Sequence, residues 1–270
     1  MAAQQTPNLL SVRVNKLLDL KPAEIIASAV LYGPNGGGKT IIMRLTAALL
    51  AGAVTDALPP LFIDALETAR RLGASIEACY AGTCIGLDGS TVKQAGWTIL
   101  FLTDSGEIYQ VGSRPCTVFD PPRPSLREFA VACPDVVKQM ELEVYYDRVY
   151  HNGLVRIADL SYGERKMIAI DAMLSAAYIS STPVFVFIEN FDAGLHIASS
   201  FAILDSLSSL PDNGLVMLEA HNVSTIKRAL QSGLRAYYVG HPETREVLPI
   251  TVDAFTSDKL FALELAAYQT

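Results

Sequence analysis

The sequence has 270 residues, 50% of them hydrophobic, enough for one large domain or for a core with an attached lobe. Its formal net charge is −7 at pH 7, so the overall field does not favour nucleic acid as a partner, although a local basic face stays open. No apolar run reaches the length of a membrane span, and the first residues lack the basic and apolar regions of a signal peptide. We therefore expect a soluble, cytoplasmic protein with no membrane partner.

The first half of the chain alternates predicted strands and helices. Apolar runs predict strands over 9–14 and 25–32, and helical periodicity predicts helices over 41–50 and 61–72. The pattern is β from 74 to 112, where a turn at 104–106 between two apolar runs predicts a hairpin. The proline-rich segment 120–124 then marks a boundary.

The second half is predicted to begin with helices over 125–133 and 134–150. Ser161 and Glu164 form an S-x-x-E capping box that opens a further helix running to about 179. Apolar strands are predicted at 184–188 and 215–218, followed by a strand pair over 235–250 and a last helix over 257–268. The four cysteines have no C-x-x-C spacing, so we expect buried free thiols and no zinc site: Cys79, Cys84, Cys116 and Cys133.

The segment 33–40 reads G-x-x-x-x-G-K-T and lies between a predicted strand and a predicted helix, as a phosphate-binding P-loop requires. Its glycines allow backbone N–H groups to surround phosphate oxygens, and the helix dipole adds positive potential. Lys39 reaches the β- and γ-phosphates in this motif, and Thr40 offers its hydroxyl to Mg²⁺. The residues expected to hold the nucleotide are Gly33, Asn35, Gly36, Gly37, Gly38, Lys39 and Thr40.

Three further segments follow the P-loop in a characteristic order. They are Leu-Ser-x-Gly-Glu at 160–164, the strand end Glu189-Asn190, and the strand end Glu219-Ala220-His221. Together with the P-loop they resemble the ABC-type ATPase superfamily over most of the chain. The segment 188–196, Ile-Glu-Asn-Phe-Asp-Ala-Gly-Leu-His, is similar to that of the soluble OLD-like and SMC-like ATPases and differs from the D-E-P-T-S-A-L-D of transporter subunits.

The resemblance implies an α/β fold. It consists of a P-loop core with a mostly parallel sheet, an antiparallel β-subdomain and a helical lobe that carries the Leu-Ser-x-Gly-Glu signature. We expect the core and β-subdomain over 1–120, the lobe over 121–180, and the rest of the core over 181–270. The resemblance also implies that two heads form a homodimer, head to tail, with ATP between them.

The resemblance also assigns roles to single residues. Glu189 takes the position of the acid that holds Mg²⁺ with Thr40, while Ser161 and Gly163 of the signature meet the ATP of the partner subunit. His221 is expected to sense the γ-phosphate, unless it is an ordinary capping or core histidine. Two positions are assigned more weakly: Gln110 as the glutamine on the metal side, and His196 as a residue that faces the dimer partner.

One residue departs from the usual pattern. Most ABC-type ATPases place a glutamate after the metal-binding acid as general base, whereas this chain has Asn190, although some OLD-like members share it. An amide orients water but does not take its proton at neutral pH. We therefore expect slow or partner-dependent hydrolysis, with Asp192 as an alternative base.

The leading hypothesis from the sequence is a soluble ATPase that binds Mg-ATP, dimerises and drives or licenses a separate protein partner, in nucleic-acid maintenance or defence. The alternative is a scaffold that binds ATP with little hydrolysis, which Asn190 favours. A transporter subunit is a third alternative, against which the segment 188–196 argues.

Overall fold

The computed structural model describes residues 9–87, 96–112, 116–118, 142–145, 148–151, 153, 155–156, 159–211 and 214–253. The side chains of 116–118, 142–145, 148–151 and 156 are not described. The helices predicted over 125–133 and 257–268 lie outside these residues. The division of the chain at 120 and 180 stays a prediction.

The described residues form strands and five helices. The strands are β1 (Leu10–Lys16), β2 (Ala23–Ile26), β3 (Ala29–Tyr32), β4 (Ser75–Tyr80), β5 (Thr83–Gly86), β6 (Thr98–Leu102), β7 (Ile108–Val111), β8 (Cys116–Val118), β9 (Leu142–Tyr145), β10 (Arg148–His151), β11 (Val155–Arg156), β12 (Val184–Ile188), β13 (Gly214–Glu219), β14 (Arg235–Val239) and β15 (Val247–Ile250). The helices are α1 (Lys39–Gly52), α2 (Pro60–Arg71), α3 (Tyr162–Ile179), α4 (Ile197–Ser208) and α5 (Val223–Gln231).

The main sheet has eight strands in the order β15-β14-β3-β13-β12-β6-β7-β8. The five strands from β14 to β6 are parallel, and the edge strands pair antiparallel. All residues of β3 and β12 are buried, as expected for parallel strands that are covered on both faces. Because parallel strands end at one edge of the sheet, β3, β12 and β13 deliver the segments that follow them to the same place.

A second sheet, antiparallel with the order β2-β1-β4-β5, lies against α1. This helix contacts β4 and β5 of the second sheet and β6, β12 and β13 of the main sheet. Its sequence is apolar on nearly all sides for that reason, and ten of its residues are buried. On the other face of the main sheet, α3 contacts β12 and β6, and α5 contacts β14 and β3. None of the described helices is long and apolar enough to cross a membrane.

Several predicted elements are confirmed. The helix after the P-loop is α1, the helix over 61–72 is α2, and the turn at 104–106 joins β6 to β7, with Leu102 opposite Ile108. The strand pair over 235–250 is the antiparallel pair of β14 and β15. The single strand predicted over 25–32 is wrong, because the chain leaves the second sheet after β2 and enters the main sheet as β3. Both strands are apolar, so the sequence does not show the change of sheet.

The helix predicted over 134–150 is wrong in its second part. Residues 142–145 and 148–151 form β9 and β10, which pair antiparallel and join β11 in a three-stranded sheet. These residues alternate apolar and polar types and include valine and tyrosine, which favour strands. Residues 134–141 are not described.

The free thiols expected for Cys79 and Cys84 are also wrong, because the two residues form a disulfide. Cys79 lies on β4 directly opposite Cys84 on β5, with 4.0 Å between their Cα atoms. The antiparallel register therefore brings the two sulfurs together although the cysteines have no C-x-x-C spacing.

Candidate nucleotide site

The P-loop joins β3 to α1 at the edge where the parallel strands end. Gly38 caps the helix in a left-handed conformation with φ of 100°, and Lys39 is the first helical residue. The Lys39 Nζ atom donates hydrogen bonds to the carbonyl oxygens of Gly33 and Pro34, both at 2.9 Å. The backbone of the P-loop thus surrounds the ammonium group of Lys39.

Two P-loop glycines are required by close contact with the end of β14. A Cβ atom on Gly33 would lie 2.4 Å from the Val239 carbonyl oxygen, and one on Gly37 would lie 2.5 Å from the same oxygen. Both distances are shorter than carbon–oxygen contacts permit. Gly36 differs, since a Cβ there would meet nothing within 4 Å and its φ of 75° is the constraint. The P-loop therefore rests on β14 and leaves Gly36 at its open side.

A cleft of about 440 Å³ opens over the P-loop. It is bordered by the P-loop, the start of α1, the β6–β7 turn and the ends of β12 and β13. The lining residues are Leu18, Asn35, Gly36, Gly38, Lys39, Thr40, Ile41, Arg44, Asp104, Glu189, Asn190, Glu219 and His221. The structure thus brings most of the residues predicted from the motifs to one cavity.

Glu219, the last residue of β13, makes contacts with both Lys39 and Thr40 of the P-loop. The Thr40 hydroxyl donates to Glu219 Oε2 at 2.8 Å, and Lys39 Nζ lies 3.8 Å from Glu219 Oε1. His221 Nε2 is 3.4 Å from the same Oε1. Burial raises the pKa of the Glu219 carboxyl, but hydrogen bonds from His221 and Thr40 and the charge of Lys39 outweigh burial and lower this pKa overall. Glu219 is therefore held as an anion beside the P-loop.

Glu189, the first residue of the turn after β12, has a different partner. Its side chain is 2% exposed and accepts two hydrogen bonds from Arg44, at 2.5 and 2.8 Å. The backbone N–H of Asp104 donates to it as well, at 3.2 Å. The hydrogen bond with Glu189 raises the pKa of Arg44. A full positive charge thus neutralises Glu189 within the chain.

Asn190 has a left-handed backbone with φ of 45° and points its amide across the cleft. The amide Nδ2 donates to Asp104 Oδ1 at 2.8 Å, and the Tyr162 hydroxyl donates to the Asp104 carbonyl at 2.8 Å. Asp104 therefore links the end of β12 to the start of α3.

The Asp192 carboxylate is engaged by backbone groups. It accepts hydrogen bonds from the His221 N–H at 3.1 Å and from the Asn222 N–H at 2.7 Å. Within the described part of the chain, Asp192 is not among the residues that line the cleft. These bonds position His221, and the role of Asp192 as a base stays a prediction.

The signature residues lie at the start of α3. The capping box is confirmed, since the Ser161 N–H donates to Glu164 Oε2 at 2.7 Å and the Glu164 N–H donates to Ser161 Oγ at 3.3 Å. A Cβ on Gly163 would lie 2.1 Å from the Gly194 carbonyl oxygen, so the signature packs tightly against the turn after β12. Among the described residues that line the cleft, neither Ser161 nor Gly163 is present.

Lys166 on α3 is a buried cation that the motifs do not indicate. Its side chain is 3% exposed, and Nζ donates to the carbonyl oxygens of Asn190 at 2.5 Å and Ala193 at 3.3 Å. Burial lowers its pKa to about 8, against the opposing influence of the charges on Asp104 and Asp192. Lys166 thus ties α3 to the turn that carries Asn190.

Two weaker assignments remain predictions. Gln110 lies on β7 opposite Leu100, two residues back from the strand end at the cleft, and it is not one of the described lining residues. His196 caps α4, where its Nδ1 accepts a hydrogen bond from the Ala198 N–H at 3.3 Å. That contact favours the ordinary role of a helix-capping histidine.

Arg44, Asp104, Glu219 and Lys166 lie in or beside the site without a role assigned from the sequence. Arg44 follows Thr40 by four residues, which places both on one face of α1, and this spacing was a usable signal. Glu219 stands two residues before His221 at a strand end, which was a second. The positions of Asp104 and Lys166 depend on tertiary packing alone.

Among the described residues, no group of three or more His, Cys, Asp or Glu side chains is placed to hold a metal ion. Mg²⁺ does not require such a group, since it is usually bound by one or two carboxylates together with phosphate oxygens and water. The Thr40 hydroxyl with the Glu219 carboxylate 2.8 Å away is a donor set of this kind. The site therefore fits Mg²⁺ bound together with phosphates.

The sequence matches no protein-family model and no curated protein. Among solved structures, a bacterial Atm1-family ABC exporter with ATP bound superposes with a TM-score of 0.51 and 17% identity, over 98% of this chain and 43% of the exporter chain. The chain has the fold of an ABC-type P-loop ATPase head. The chain also resembles an SmcHead bound to the C-winged helix domain of ScpA (TM-score 0.49, 12% identity) and an SMC head domain from Thermotoga maritima (TM-score 0.44, 13% identity). The two superpositions cover 92% and 91% of this chain, respectively, and 100% of each matched chain.

Proposed function

We propose that the chain is a soluble ABC-type ATPase that binds Mg-ATP, dimerises head to tail and hydrolyses ATP slowly to drive or license a protein partner. The observation that carries the proposal is the cleft over the P-loop, where Lys39, Thr40 and Glu219 meet. These groups supply one cation, one hydroxyl and one anion at a helix N-terminus, which is the set that a magnesium–phosphate complex needs.

The residues of this chain bind and orient the phosphates. Lys39 exchanges its bonds to the Gly33 and Pro34 carbonyls for phosphate oxygens, which carry full charge and are stronger acceptors. The start of α1 adds backbone N–H groups and the helix dipole. When bound, Mg²⁺ neutralises phosphate charge. Leu18, which is 46% exposed and lines the cleft, offers an apolar surface for the rest of the nucleotide.

The signature supports the dimer. Ser161 Oγ accepts its hydrogen bond from the Glu164 N–H, so its own proton stays available for an acceptor outside the chain. Ser161 is exposed and lies at the N-terminus of α3, where the helix dipole favours an anion. Both properties suit the γ-phosphate of ATP held by a second copy.

The dimer is tested by Ser161→Arg. We expect ATP to shift the wild-type chain to a dimer in sizing experiments, and ADP not to do so. Ser161→Arg should bind ATP as a monomer but fail to dimerise, because the bulky cation fills the place of the partner's phosphate. Ser208→Arg, an equal change at an exposed serine of α4, is the control and should dimerise normally. If Ser161→Arg still forms an ATP-dependent dimer, the signature has no role in dimerisation and is only the capped start of a helix.

Slow hydrolysis follows from Asn190. Its amide donates to Asp104 and has no basic site for the proton of the attacking water. General-base catalysis contributes roughly 10²–10⁴-fold, so turnover should lie well below the enzyme median of about 10 s⁻¹. The same observation favours the second candidate function, a scaffold that binds ATP and barely hydrolyses it.

Single-turnover hydrolysis with Asn190→Glu and Asp192→Asn distinguishes these functions. If the chain is an ATPase that lacks its base, Asn190→Glu should raise the rate and shorten the life of the ATP-bound dimer. If Asp192 is the base, Asp192→Asn should abolish hydrolysis and Asn190→Glu should add little. Rapid wild-type turnover that neither change affects would exclude both versions. A partner captured with ATP but not with ADP would complete the proposal.

A further inference from the structure

We propose that Glu219, rather than Glu189, is the carboxylate that faces Mg²⁺ in the ATP complex, directly or through one water. The resemblance assigns this role to Glu189 because of its place in the sequence. The contacts of the two carboxylates indicate the opposite assignment. The inference rests on the proposed function, because it concerns the same cleft.

The first argument is the proton of Thr40. A threonine hydroxyl has one proton to donate and two lone pairs to offer. In this structure the proton goes to Glu219 Oε2 at 2.8 Å, and both lone pairs stay available. A cation that approaches Thr40 from the cleft therefore meets an oxygen that is already oriented, with the Glu219 carboxylate beside it. None of the hydrogen bonds described for Glu189 involves Thr40.

The second argument is the charge around each acid. Glu189 is neutralised by two hydrogen bonds from Arg44, and both of its oxygens are in use. Turning Glu189 toward a metal would break both hydrogen bonds to the partly exposed Arg44 guanidinium and leave the buried Glu189 carboxylate without that counter-charge. Glu219 forms no described hydrogen bond or ion pair with an arginine, although the charge of Arg44 reaches it through space. Its ion-pair partners are Lys39 at 3.8 Å and His221, which is a cation only when protonated.

The third argument is the effect of nucleotide entry on Glu219. When Lys39 turns to the phosphates, the carboxylate loses its nearest permanent cation while it is 6% exposed. A buried carboxylate without a counter-charge is unfavourable, and a divalent cation held between Glu219 and the phosphates restores the balance. The Lys39 and Mg²⁺ positions are thereby coupled through one side chain.

The test compares ATP affinity in Mg²⁺ with ATP affinity in EDTA, by calorimetry, for wild type, Glu219→Gln and Glu189→Gln. We expect Glu219→Gln to reduce the affinity gain from Mg²⁺ by about 10-fold or more, as other changes around metal sites do. Metal-free affinity should stay equal or rise, because a negative charge near the phosphates is removed. Glu189→Gln should keep most of the Mg²⁺ gain, because the contacts of Glu189 are to Arg44 and Asp104.

The control is Glu246→Gln, the same chemical change at a glutamate that pairs with Lys21 away from the cleft lining. It should match wild type in both conditions. Loss of the Mg²⁺ gain in Glu189→Gln but not in Glu219→Gln would overturn the inference, and so would loss in both or in neither. A wild-type chain that binds no ATP in either condition would overturn the proposed function and, with it, this assignment.

A measurement on the wild-type chain covers the case in which Glu219→Gln fails to fold. In a crystal structure with Mg²⁺ and a non-hydrolysable ATP analogue, the cation should contact Glu219 or a water bound to it, and Arg44 should keep its bonds to Glu189. A cation bound to Glu189, with Arg44 displaced, would overturn the inference.

Discussion

Two lysines of this chain, Lys39 and Lys166, are almost equally buried and have similar chemistry. Each is 3% exposed, and each donates hydrogen bonds to two backbone carbonyls. Burial lowers the pKa of both. They differ in what surrounds the carbonyls, because Lys39 borders an open cleft, whereas Lys166 lies beneath the turn after β12.

The difference shows that burial and hydrogen bonding do not identify a ligand-binding lysine by themselves. The carbonyl partners of Lys39 are exchangeable, because phosphate can enter the cleft beside them. The carbonyl partners of Lys166 belong to a turn that is packed against α3, where Gly163 meets Gly194 with no room for a Cβ atom. We therefore expect Lys39 to bind nucleotide and Lys166 to fix the position of Asn190.

The largest expected effect is on ATP affinity. Lys39→Ala should weaken ATP binding about 100-fold, from the loss of roughly 3 kcal/mol of charge-assisted hydrogen bonding, and should leave the chain folded. Lys21→Ala, which removes a surface lysine, is the matched control in the same calorimetric titration. Near-normal ATP affinity in a folded Lys39→Ala variant would contradict the P-loop assignment. Lys39 would then have a structural role only, as expected for Lys166.

The tight packing beside Lys166 predicts a loss of stability in Gly163→Ala. The new Cβ would lie 2.1 Å from the Gly194 carbonyl oxygen, so the signature and the turn must separate, at a cost of about 1–3 kcal/mol. Gly52→Ala, where a Cβ meets nothing within 4 Å at the end of α1, should be neutral or slightly stabilising. Equal denaturation midpoints for the two variants would contradict this prediction. They would show that the turn after β12 can move away from α3 at little cost in stability.

The smallest expected effect is a pH dependence that belongs to Lys166. The folded chain releases this proton near pH 8, while the unfolded chain keeps it to about 10.5. The folded state thus binds fewer protons in this window, and stability rises with pH there. From pH 7 to pH 9, wild type should gain about 1 kcal/mol relative to Lys166→Met.

Urea denaturation at the two pH values measures this difference. The lowered pKa of Lys39 contributes in the same direction to wild type and to Lys166→Met, so subtracting the two isolates Lys166. Parallel stability curves for the two chains would mean that the buried charge of Lys166 is compensated in the folded state.

The sequence predicted the parts of the site that are local in the chain. The helix after the P-loop and the capping box of Ser161 each depend on residues close together, and both are confirmed in structure. The acid next to Thr40 was missed because that contact joins residues 179 positions apart. Arg44 and Glu189 are likewise 145 positions apart. The β9–β10 hairpin is local in the chain, and the helix predicted there is wrong because the alternation of apolar and polar residues was not given its weight.

The position of β3 has a consequence for folding during synthesis. Its partners in the main sheet are β13 and β14, so Ser28 accepts a hydrogen bond from Val216, 188 residues later, and the P-loop glycines rest on Val239. A growing chain therefore carries an apolar strand with both edges unpaired until the last third has left the ribosome. Contacts of such long range fold slowly and expose sticky surface meanwhile. If the chain binds ATP as proposed, we expect binding to begin only after β14 has been synthesised, and we expect ATP to stabilise the chain only from that point.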